Sequence, residues 1–234
     1  MAGRWGAAGS WVLVACALVT TVLVIRREFF AKDALTAAIR DPVEIKGWRD
    51  ALDAGIHVGP ASAPVQVVQF ADFECPMCSR FDVTLQELRR KYPDKVALTL
   101  VPFPLPYHEY AEPAVRAAEC ANAQGRADAM VPLLFARQKQ FGTVAWTDLA
   151  REAAVPDMTR FETCVNETTP MARVDKARKL AETIGVRGTP TVIVNGWKLP
   201  ITPTMRELEK MVGNVVDGRK PVSGIDFRVN VASL

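Results

Sequence analysis

The chain has 234 residues, 49% of them hydrophobic, and its 29 basic and 26 acidic side chains leave a formal charge of +3. That length holds one substantial core plus accessory segments. A near-balanced charge without a long basic run excludes nucleic acid as a partner held by backbone charge.

Taken in chain order, the first feature is an uncharged apolar run from Trp11 to Ile25, about fifteen residues and roughly nineteen with part of 6–10 included, a short but sufficient length for a membrane helix. Residues 1–27 are therefore expected to be an N-terminal membrane anchor. A cleaved signal peptide is the alternative, with Arg4 as its basic start, but no small-x-small site follows the run. Cys16 lies inside the run and reads as a membrane-buried thiol. Residues 28–56 read as a juxtamembrane stalk, partly helical through Phe29, Ala34, Ala38 and Ile39 and broken at Asp41-Pro42.

A globular domain is expected over 57–216. Gly59 to Pro64 breaks regular structure, and Val65 to Phe70 reads as a strand. Phe81, Leu85, Leu88 and Tyr92 then mark one face of a helix that ends at Tyr92-Pro93. Between strand and helix stands Cys75-Pro76-Met77-Cys78. Pro76 suits the first helical position, so Cys75 should cap the helix, facing unpaired backbone N–H groups and the positive end of its dipole. Both favour a thiolate, and cysteines so placed titrate at roughly 3.5 to 7.5. Cys78 lies three residues before Phe81 on the apolar face, so it should be shielded and act as the resolving partner.

Val96 to Val101 reads as a second strand, buried on both faces. Residues 108–184 are helical in pattern, with apolar stripes at Ala114, Ala117, Ala118 and Ala121; at Met130, Leu133, Leu134 and Phe141; at Met158, Phe161 and Val165; and at Val174, Ala177, Ala181 and Ile184. Thr191 to Val194, a turn at Asn195-Gly196, and Trp197 to Leu199 form a hairpin signature. A final helix carries Leu208, Met211, Val212 and Val215, and the tail, 217–234, reads as loosely held. The order is that of an α/β thioredoxin-like core interrupted by an all-helical subdomain.

Three stretches now carry a resemblance: Ala63-Pro64-Val65, Phe70-Ala71-Asp72-Phe73-Glu74-Cys75-Pro76-Met77-Cys78, and Gly185-Val186-Arg187-Gly188-Thr189-Pro190-Thr191. Together they resemble the DsbA-like thiol:disulfide oxidoreductases over about residues 57–216. The resemblance implies a thioredoxin fold with a helical insertion, and a cis proline at Pro190 beside the CxxC. A cis bond there turns the Thr189 backbone toward the cysteines, where an extended substrate would gain main-chain hydrogen bonds. Met77 stands where the best-known oxidases of that family carry histidine, and Thr189 resembles the isomerase-like branch. Direction of exchange is thereby left open.

Cys120 and Cys164 fall on apolar faces of two inserted helices and are either inert core thiols or, in an exported domain, a disulfide. Closing that loop would contribute about 4 kcal/mol at most in the chain-entropy model. Only Cys75 and Cys78 have the close spacing of zinc ligands, so no metal is expected, nor any cofactor beyond the redox-active pair. His57 and His108 read as structural or surface residues, and Asp72 and Glu74 as either tuning charges or solvated loop positions.

The expected function is a membrane-tethered oxidoreductase exchanging disulfides with exported protein substrates, served by a separate redox partner protein. A reductase or isomerase running in reverse is the alternative, and a peptide-binding or chaperone module around Pro190 is a reading of another class. Arg26 and Arg27 after the apolar run argue for a cytoplasmic domain. Four cysteines outside that run, two of them a reactive pair, argue more strongly for the catalytic domain lying outside the cytoplasm.

Overall fold

The computed structural model of the protein describes residues 19–21 and 41–227. The chain divides into two compact units, 1–41 and 42–234. Of the first, Val19 to Thr21 form a helical turn. The rest of the expected anchor over 1–27, and the stalk residues 28–40, lie outside the described residues. Among those described, no helix is long and apolar enough to cross a membrane.

The second unit is built on a six-stranded sheet. Its strands are β1 (Val43–Glu44), β2 (Ile56–Val58), β3 (Val65–Ala71), β4 (Val96–Pro102), β5 (Thr191–Val194) and β6 (Trp197–Lys198). The helices are α1 (Asp50–Asp53), α2 (Pro76–Lys91), α3 (Ala111–Asn122), α4 (Ala127–Arg137), α5 (Trp146–Glu152), α6 (Met158–Val165), α7 (Ala172–Ile184) and α8 (Met205–Val216). Strand order is β1-β6-β5-β3-β4-β2. The central strands β3 and β4 run parallel, and β5 is antiparallel to β3.

Alternation along β3 divides the core. Val65, Val67 and Ala71 face α2 and the insertion, where they pack with Phe81, Leu85, Leu88, Met130, Leu134 and Phe135. Val68 and Phe70 face the other way, onto Ala177 and Ala181 of α7 and Ala51 and Ala54 around α1. This is the period-two rule of a strand buried on both faces. The hairpin between β5 and β6 turns at Asn195 and Gly196, whose φ angles of 44° and 89° are the left-handed pair such a two-residue turn demands. A Cβ on Gly196 would meet the Trp48 ring at 2.6 Å.

Three expectations are corrected. Residues 42–56 are part of the fold instead of a stalk: Glu44 pairs with Trp197, Ala51, Ala54 and Ile56 are fully buried, and Arg173 donates to the Gly55 carbonyl. The helical region holds five helices instead of four, because α5 buries only Leu149 and Ala150, too brief a stripe to register as periodicity. The last of the five, α7, leaves the insertion and covers the far face of the sheet. The tail is held as far as it is described. Buried Asn214 donates to the carbonyls of Pro221 at 2.8 Å and Ser223 at 2.9 Å, and Phe227 is in the core. The final helix begins at a capping box, Thr204 with Glu207.

Candidate active site

Cys75 is the N-cap of α2, extended at φ −70° and ψ 118°, with Pro76 at the first helical position. The proline gives up no bond there, since its N–H would have had no partner within the helix. Cys78 follows one turn on with no exposed surface, and Cys75 is only 6% exposed. Both are free thiols. Met77 between them is exposed and its Sδ is contacted by the Arg80 guanidinium.

The peptide bond between Thr189 and Pro190 is cis, and the Thr189 carbonyl oxygen stands 3.5 Å from Cys75 Sγ. Two segments 114 residues apart are thus brought to the same sulfur. The Thr189 hydroxyl is buried beside it. Beyond that, Thr191 Oγ1 donates back to the Gly188 carbonyl at 2.8 Å, closing the turn.

The two sulfurs are electrostatically unlike. Cys75 is lowered to about 5, first by the Cys78 thiol, which donates to it, and then by Thr189 and the backbone N–H groups of Cys78 and Met77, against an opposing effect of burial. Cys78 is raised, first by burial and then by the same contact with Cys75. At neutral pH one sulfur is an anion and the other a thiol.

The loop ahead of Cys75 is held by a buried carboxylate. Asp72, with no exposed surface, accepts from the backbone N–H groups of Glu74 and Leu105, each at 2.7 Å, and pairs with His108 Nδ1 at 2.8 Å. Its main-chain oxygen accepts from Cys75 N at 3.1 Å. Asp72, left open in the sequence, thus meets His108, read there as a structural or surface residue. His57 lies elsewhere, bonded to Thr99 Oγ1 on β4. Sequence reasoning missed Gln138. From the single 3-10 turn after α4, its Nε2 donates to the carbonyls of Phe73 at 2.9 Å and Cys75 at 3.3 Å. Ser79 likewise donates to the Phe135 carbonyl. No local pattern marks a lone glutamine as a clamp on a segment 63 residues away.

Cys120 and Cys164 are joined by a disulfide that ties α3 to α6. Among the described residues no three His, Cys, Asp or Glu side chains gather to hold a metal ion.

Comparison with known proteins places this geometry. The family model described as Thioredoxin matches residues 51–214. A Na(+)/H(+) antiporter NhaA 1 from Mycolicibacterium gilvum is 33% identical over 162 residues, which cover 67% of this chain but only 26% of that protein. The chain thus matches about a quarter of the length of that curated relative. A thioredoxin-like oxidoreductase from Silicibacter pomeroyi is 26% identical with a TM-score of 0.57, over 73% of this chain and 96% of that one. The thiol-disulfide exchange protein alpha-DsbA2 from Wolbachia pipientis, 17% identical, shares the fold at a TM-score of 0.62 over 78% of this chain and 97% of its own. The chain belongs to the thioredoxin family, with a helical insertion interrupting the core.

Proposed function

We propose that this chain is a membrane-anchored, extracytoplasmic oxidoreductase that oxidises the thiols of exported proteins through Cys75 and Cys78. The observation that carries the reading is Cys75 at the N-cap of α2, 3.5 Å from the carbonyl of the cis Thr189-Pro190 bond, with buried Cys78 one turn on; in that setting the first sulfur is lowered to about 5 and the second raised. In the oxidised enzyme a substrate thiolate attacks Cys75 Sγ; the Cys75–Cys78 bond breaks, and its electron pair leaves with Cys78, which takes up a proton. A second substrate thiolate then attacks the substrate sulfur of the mixed disulfide, and Cys75 departs as a thiolate. Two electrons have passed to the enzyme, and a separate redox partner protein removes them.

A thiolate stabilised as Cys75 is leaves easily and favours the reduced enzyme, so substrate oxidation is the direction supported over reduction or isomerisation. Pro76 and Met77 complete the active-site loop. Thr189 and Pro190 present backbone along which an extended substrate pairs, and the Cys120–Cys164 bond serves stability only. No cofactor is required beyond the redox pair. The apolar run from Trp11 to Ile25 is the anchor in this reading, with the catalytic domain on the outer side.

Cys75→Ala is expected to abolish disulfide exchange with reduced peptide, and unchanged exchange in that variant would refute the enzyme. Export has its own test. A reporter fused after Val216 that works only outside the cytoplasm is expected to be active, and an inactive fusion would place the domain inside.

A further inference from the structure

We propose that Tyr107, on the proline-rich loop after β4, forms a subsite for an apolar side chain of the polypeptide being oxidised, on the flank of the cysteine pair opposite Thr189. The inference rests on the redox reading above and adds to it where selectivity arises. In the sheet β3 lies between β5 and β4. Thr189 precedes β5, whereas the loop 103–110 leaves β4, which is parallel to β3, at the same end as the cysteines. The cysteine pair therefore has the cis-proline turn on one side and this loop on the other.

The loop is fastened to the segment that carries the cysteines. Phe103 N donates to the Ala71 carbonyl at 2.8 Å, Leu105 N and His108 Nδ1 both reach the Asp72 carboxylate, and Tyr110 N reaches the Glu74 carboxylate. Pro102, Pro104 and Pro106 restrict its backbone further. Yet Tyr107, at its tip, is 75% exposed, with its ring edge-on to His108 at 4.6 Å. It is the one aromatic among the exposed large hydrophobic side chains of the described residues. A rigid, exposed ring gives contact area at little entropic cost, the property of a recognition residue.

Cys75 N bonds the Asp72 main-chain oxygen, the carboxylate of the same residue bonds His108 Nδ1, and the His108 ring meets the Tyr107 ring edge-on. An extended chain advances about 3.4 Å per residue, so a substrate joined to Cys75 reaches Tyr107 within roughly four residues. Cys75 is only 6% exposed, so the occupant that reaches it is an unfolded segment, free to pair along Thr189 while laying an apolar side chain on the ring.

The test measures how fast the oxidised full-length protein is reduced by synthetic single-cysteine peptides, with Phe or Gly at each of about four positions on either side of the cysteine, and by glutathione. At one position Phe is expected to outpace Gly by about fivefold. Tyr107→Ser should bring that ratio to one, and Tyr107→Phe should preserve it. No preference for Phe at any position, or a preference that survives Tyr107→Ser, overturns the subsite while leaving the redox reading intact. A parent protein reduced by neither glutathione nor peptide defeats the redox reading and the subsite with it.

Discussion

Two side chains of α2 show that burial alone does not decide ionisation. Cys75 is buried and anionic because donors converge on its sulfur, whereas Asp82, 5% exposed on the same helix, is raised to about 6 by burial, with the Gln86 amide and Arg89 offsetting only part of the cost. The native state holds the Asp82 proton more firmly than the unfolded chain, so this contribution to stability is present in acid and is lost as pH rises from near 4 through about 6. Asp82→Asn removes the charge the fold resists. Its expected effect is a gain of about 2–3 kcal/mol above pH 7 and little at pH 4, read from urea unfolding at the two values. An equal effect at both would show that Asp82 ionises freely in the fold.

Among the elements, the insertion depends on the covalent tie between α3 and α6. The two cysteines are 44 residues apart, and closing such a loop contributes about 4 kcal/mol at most. Replacing both by serine should lower the thermal midpoint clearly while disulfide exchange at Cys75 persists, and alkylation of both thiols without reductant would remove the tie from the account. Legibility in the sequence follows the range of the signal. The cysteine helix was legible because its stripe, its proline and its cap lie within seventeen residues of one another, Cys75 to Lys91. Strand β1 was not, because two exposed residues carry no alternation and gain their place only by pairing with β6. The Asp72–His108 pair and the Gln138 clamp were hidden for the same reason, since each joins segments whose nearness is a product of the finished fold.

At the scale of the whole molecule, the sheet acts as a jig. Parallel β3 and β4 end together, antiparallel β5 begins beside them, and the segments 71–78, 103–110 and 188–190 therefore meet at one end of the domain, while the insertion adds Gln138 on the carbonyls of Phe73 and Cys75. Everything assigned to the protein depends on what that convergence does to one sulfur. The measurement that addresses it most directly is a thiolate titration of the reduced protein by ultraviolet absorbance, with Cys75→Ala as the control. The account predicts a midpoint near pH 5 that vanishes in the variant. A thiol at Cys75 that keeps its proton beyond about pH 8, as a free cysteine does, would contradict it.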